Sequence, residues 1–314
     1  MTSKEQFSEF LQPDTIWEIF GINSQEDFID KIITIDKFHE NVPDSIKKDY
    51  KLVVRLQFYS YYAYPLIDEA FGKLTRIFEA SIDLKIEELK IEKKGFETLD
   101  SKIKRLEKYS SNELHKQWLN SKEMRNLFAH HKAGRLMGFT LFKAFQHNVN
   151  MINSIFLKQE EILEKENYLK KIVANSKHLK KGLFIMEYNG NRYLIWSMIP
   201  YTSSINNGIE KSFWVFHPVY GDKHIKQISD FPEPFKLNLE NLKINKKGLS
   251  ALVIETNESI TVTSTNINEN IDKFNLHNKQ MIEIDLSLKQ KYWSILENDI
   301  NKGVTEFIYN HTWE

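Results

Sequence analysis

LFIMEYNGNRYLIWSMI, residues 183–199, is where the hydrophobic period of the chain changes from helical to extended. Leu183–Tyr188 and Arg192–Ile199 are runs of strand formers. Asn189-Gly190 between them is a dipeptide that accepts positive φ at both turn positions, so the stretch predicts a β-hairpin. Further strand candidates lie at Ser212–Tyr220, Ser250–Thr256, Ile260–Ser264 and Met281–Leu286, followed by a last helix at about Leu288–Ile300. Residues 182–314 therefore read as a β-rich α+β domain.

Upstream of the hairpin the period is helical. Residues 161–181 form a charged linker helix, and residues 1–160 an all-helical domain. Short apolar clusters broken by Pro13 and Pro43 predict two or three short helices before residue 50. From Leu52 to Leu84 the apolar positions follow the mixed three-and-four spacing of a long amphipathic helix with one core-facing stripe, and Pro65 should kink or restart it. Residues 98–119 read as charged, largely exposed helices, and residues 122–157 as a further helical run. The fold class is α+β, a helical bundle followed by a β-rich domain.

Composition narrows the chemistry. The 314 residues hold 43 Lys plus Arg against 43 Asp plus Glu, so no global field draws the chain to nucleic acid or an anionic membrane, and any polyanion site must be a local patch. No cysteine is present, which removes disulfides, thiol nucleophiles and thiolate metal sites. Gly72-Lys73-Leu74-Thr75 lacks the glycine five positions earlier that a phosphate loop needs, Ile67 standing there instead. The first residues have no signal-peptide core, and no run approaches the roughly 18 apolar residues of a membrane span, so a cytoplasmic location without membrane contact is expected.

One segment concentrates reactive side chains: Lys122-Glu123-Met124-Arg125-Asn126-Leu127-Phe128-Ala129-His130-His131-Lys132. Arginine, a polar amide, three apolar residues and histidine form an Arg-x4-His motif on a helical run. It follows a long apolar-striped helix that bears a glutamate, Glu69, within Tyr64-Pro65-Leu66-Ile67-Asp68-Glu69-Ala70-Phe71-Gly72-Lys73-Leu74. On these residues the segment from about 50 to 157 resembles the HEPN superfamily; the resemblance does not extend to the C-terminal domain. It implies a metal-independent endoribonuclease with its site at a homodimer interface, and a bacterial antiphage-defence or toxin-type effector restrained by a regulatory partner or antitoxin.

The residue chemistry is compatible with that role. When a 2′-hydroxyl attacks the neighbouring phosphorus, one group must take a proton, another must give one, and a cation must steady the added negative charge. Histidine does either proton job near neutrality, and arginine grips two phosphate oxygens. At 3.6 residues per turn, Asn126 and His130 lie about 40° apart on one helix face, whereas Arg125 and His130 are about 140° apart. Asn126 is thus expected to orient His130, with Arg125 reaching round the helix or acting from another chain. Two copies facing across a two-fold axis would supply both base and acid. Lys122, His131, Lys132 and Arg135 are candidate RNA-binding residues, and Ser121–Arg135 carries a net +3 before histidines are counted.

Other assignments stay open at this level. Glu79 is placed either to pair with Arg125 across the bundle or to stand as a solvated helix position. His131 is either a second proton carrier or an exposed neighbour. Phe213, Trp214, Phe216 and Tyr220, with Tyr188, Tyr193 and Trp196, are candidates for stacking nucleobases or for core packing. His217 and His224 do not cluster and the carboxylates lack metal-ligand spacing, so no metal and no cofactor are expected. The competing reading is a non-catalytic, dimeric HEPN-like module that holds RNA, a nucleotide or a partner protein.

Overall fold

Two local signals organise the N-terminal half. The computed structural model describes residues 7–92, 95, 97–129, 139–206, 208–220 and 225–313. After a 3-10 turn at Ser8–Leu11 come α1 (Ile16–Ile19) and α2 (Gln25–Ile32). Ser24 starts α2: its Oγ accepts the Asp27 N–H at 3.0 Å, satisfying a donor that a helix start leaves open. Pro65 is the second signal. The long helix expected from Leu52 is two helices, α3 (Asp44–Tyr59) and α4 (Leu66–Glu88), and Pro65 stands directly before α4, where a fixed φ and a missing N–H cost nothing.

The buried face of α3 is not the expected one. Leu52 and Tyr59 are exposed, while Ile46, Tyr50, Val53 and Gln57 face inward. Polar atoms explain the rotation: Gln57 Oε1 accepts the Thr34 N–H at 2.7 Å, and the Tyr50 hydroxyl donates to the Thr34 carbonyl at 2.8 Å. A count of apolar positions cannot foresee a buried glutamine with a backbone partner.

α5 (Leu99–Arg105), α6 (Asn112–Ala129) and α7 (Phe139–Ile155) follow. Residues 98–119 are less exposed than their charge suggests, because Leu99, Ile103, Leu106 and Trp118 are buried. The Trp118 indole donates to Ser154 Oγ at 2.8 Å and ties α6 to α7. Trp17, Phe28, Phe71, Phe78 and Phe145 are fully buried, with Phe71 and Phe145 in edge contact at 5.2 Å. Gly72 in α4 has open space where a Cβ would stand. Gly72→Ala should therefore stabilise the chain by about 0.5–1 kcal/mol, read as a higher urea midpoint.

Contacts divide the chain into two units, Met1–Ile162 with Trp313–Glu314, and Leu163–Thr312. The boundary falls within α8 (Gln159–Asn175). Residues 161–181 are no free linker: Tyr168, Ile172 and Leu179 pack into the core of the second unit.

That unit is built on the expected hairpin. β1 (Phe184–Tyr188) and β2 (Asn191–Asn206) flank Asn189 and Gly190 at φ 51° and 68°, the left-handed pair a two-residue turn requires. β3 (Ile209–Pro218), β4 (Phe235–Asn245), β5 (Gly248–Val253) and β6 (Glu258–Ser264) extend the meander, every neighbour antiparallel. β6 returns to β1, with Phe184 opposite Ser264 and Glu187 opposite Thr261, and closes a six-stranded barrel. β4 was not anticipated. Its inward residues run Leu237 and Leu239, then slip at a register shift between Glu240 and Lys243, where Asn241 adopts φ 53°; a bulge of this kind breaks the alternation by which a strand is recognised.

Met281–Leu286, read as a strand, is instead the junction of α9 (Asn268–Glu283) and α10 (Leu286–His311). Asp285 decides this, its Oδ1 accepting the N–H groups of Ser287 and Leu288 at 2.9 and 3.1 Å as the cap of α10. The last helix is accordingly longer than Leu288–Ile300. β3 is covered on both faces: Trp214 and Phe216 belong to the barrel interior, while Phe213 and Val215 pack with Tyr292, Leu296 and Phe307 of α10. With Tyr220 also buried, none of these four rings is presented for base stacking. Tyr188 and Tyr193 are partly buried against the barrel core, and the Trp196 ring lies 5.4 Å from His217 and 5.5 Å from His277. No helix among the described residues is long and apolar enough to cross a membrane.

His217 and His277 give this unit a pH dependence. Both are buried, and His277 Nδ1 accepts the Tyr220 N–H at 3.2 Å, which requires an unprotonated nitrogen. Desolvation pushes both imidazoles down to about 4. The unfolded chain therefore binds protons between about pH 6.5 and 4 that the folded chain refuses, and stability falls as pH drops through that window. The expected loss at pH 5 is about 2 kcal/mol per histidine. Urea midpoints at pH 7 and 5 check it, with a smaller pH difference expected for His277→Gln.

Candidate functional site

The motif helix α6 reaches a cleft of about 940 Å³ lined by Glu79 and Asp83 of α4, Asp100 and Lys102 of α5, and Lys122, Arg125 and Asn126 of α6. The α4 residues stand one turn apart on a shared face, as do Lys122 and Arg125 on α6, so each helix projects its charges in a row. The rows meet. Arg125 Nη2 donates to Glu79 Oε2 at 3.2 Å, and Arg125 Nη1 donates to the Asn126 side-chain oxygen at 3.4 Å. Lys102 lies 4.0 Å from Glu79 and 2.8 Å from Asp83, bridging the two α4 carboxylates.

A second group surrounds Asp100. Lys122 Nζ donates to it at 2.7 Å and also reaches Glu123 at 2.9 Å, while Lys104 approaches from the next turn of α5 at 2.8 Å. The hydrogen bond from Lys104, with that from Lys122, holds the Asp100 carboxyl down at about 2, and Asp100 in turn raises Lys122. The Asp100–Lys122 pair therefore stays charged through the neutral range. Among the described residues, each cation lining the cleft thus has a carboxylate partner.

Arg125 and Asn126 are placed together at the cleft wall, and Glu79 is settled as the partner of Arg125. Asn126, expected to orient His130, here contacts Arg125. His130, His131, Lys132 and Arg135 lie outside the described residues. Sequence reading missed Asp83, Asp100 and Lys102; their local signal is charge, and the contacts that bring them to the cleft, Lys102 with Asp83 and Lys122 with Asp100, join residues 19 and 22 apart. It also missed His147 of α7, whose Nε2 shares a 3.1 Å hydrogen bond with the buried Ser121 Oγ, one turn before Arg125. Burial pushes this imidazole down to about 4, so it is neutral at pH 7.

The Arg125–Glu79 pair is partly open to solvent, with about a third of each side chain exposed. Such pairs contribute about 0–1 kcal/mol, so Glu79→Gln should change stability by no more than about 1 kcal/mol in urea unfolding. In comparison with known proteins, no family model and no curated protein matches the chain.

Proposed function

We propose that the helical unit is a metal-independent endoribonuclease of HEPN type, acting as a homodimer in defence or toxin-type RNA cleavage. The supporting observation is Arg125 beside Asn126 at the wall of a cleft, with a guanidinium partly exposed and ion-paired to a solvent-screened carboxylate. A phosphate entering the cleft would exchange with Glu79 for the same fork of N–H donors. His130, on the same motif, moves the proton. Dimerisation brings two histidines to one site, one as base and one as acid, and light scattering that found a monomer at micromolar concentration would contradict that arrangement.

Purified protein incubated with total RNA in EDTA should degrade it, and intact RNA would reject the nuclease reading. One observation favours the binding-module alternative: among the described residues each cation at the cleft is already ion-paired, as a helical scaffold requires. RNA retention without cleavage in the same incubation would select it.

A further inference from the structure

We propose that one end of the barrel is a phosphate-backbone surface for RNA, made by Lys177, Lys180, Lys181, Lys243, Lys246 and Lys247. The choice of RNA among polyanions rests on the ribonuclease reading. The chain is neutral overall, yet residues 167–186 and 241–254 contain no Asp or Glu. The fold brings these two runs together, because His178 Nε2 donates to the Asn245 carbonyl at 2.9 Å across 67 residues. All six lysines are exposed, and among the described residues none of their ammonium groups makes an ion pair or hydrogen bond. Lys102, Lys122 and Arg125 at the cleft, by contrast, are paired.

The backbone carrying the lysines is held in place. Ser197 Oγ donates to the Lys180 carbonyl at 2.7 Å, the Gly182 N–H donates to the Trp196 carbonyl at 3.1 Å, and Asn245 Oδ1 accepts the Lys247 N–H at 2.8 Å. Six unpaired like charges on two acid-free runs repel one another, so their grouping does nothing for the fold. A polyanion with regularly spaced charges relieves that repulsion and releases its own counterions. Neither run exposes a large apolar or aromatic side chain. That leaves no wedge for a membrane and no platform for bases, so the surface reads phosphates without regard to sequence.

The test uses full-length chain carrying His130→Ala and a fluorescein-labelled 30-nucleotide uridine oligomer, with anisotropy titrations from 50 to 200 mM salt. Each lost phosphate contact on a single strand lowers the salt slope by about 0.7. Replacing Lys177, Lys180 and Lys181 by Ala should lower it by about 2 and weaken binding about tenfold or more at 100 mM salt, as should replacing Lys243, Lys246 and Lys247. Arginine at all six positions should preserve the slope. Unchanged affinity and slope in the six-alanine variant would overturn the proposal, as would binding to phosphatidylserine vesicles or polyglutamate in place of RNA. Because binding is read without cleavage, an inactive parent chain counts against the nuclease reading alone.

Discussion

Arg125→Ala and His130→Ala should each reduce RNA cleavage by about 100-fold or more while leaving the chain folded. Stabilising the charge on the attacked phosphate and transferring the proton each supply factors of that order. Folding survives the arginine change because Glu79, relieved of Arg125, still has Lys102 4.0 Å away. With two imidazoles as base and acid, the nucleophile is the RNA's own 2′-hydroxyl. The products should then be a 2′,3′-cyclic phosphate and a 5′-hydroxyl, formed in EDTA, with DNA and 2′-O-methyl RNA left intact. The rate should be bell-shaped about neutral pH, as two coupled imidazoles require. Gel assays of each variant and mass spectrometry of the ends decide the matter: full activity in either folded variant, or 5′-phosphate ends, would remove these residues from the mechanism.

Gly248→Ala should be the most damaging single methyl group in the barrel. A Cβ at Gly248 would stand 1.8 Å from the Val262 carbonyl oxygen and 2.7 Å from its carbon, both backbone atoms of β6. No side chain can rotate to make room, so β5 and β6 must part or the β4–β5 turn must distort. The expected cost is about 3 kcal/mol or more, against the gain expected for Gly72→Ala, where the new methyl meets nothing. Urea unfolding of both variants is the measurement, and a loss below about 1 kcal/mol for Gly248→Ala would show that the strands separate cheaply. Since Gly248 follows the Lys246-Lys247 turn, the same variant should also weaken RNA binding at the barrel end.

Much of the local structure was legible. The Asn189-Gly190 hairpin and the helix start after Pro65 follow from backbone preferences of a few adjacent residues. Errors arose where a local pattern met a competing local rule: the alternation Ile282, Ile284, Leu286 imitates a strand, but Asp285 captures two N–H groups and starts a helix instead. The bulge at Asn241 hid β4 by shifting its apolar register.

The candidate site divides in the same way. Arg125, Asn126 and His130 stand out as a motif because their spacing is short. Their surroundings do not: Glu79 is 46 residues from Arg125, and Asp100 is 22 from Lys122. What the sequence determined by itself was the change of period at residue 183, the turn residues and the placement of Arg125 on a helix, all set by the φ/ψ and capping preferences of neighbouring residues. Tertiary structure alone decided that β6 closes on β1, that the cleft cations are neutralised, and that two lysine-bearing turns share one barrel end. Those pairings join remote segments, whose cost in chain entropy is met only when the whole core packs at once.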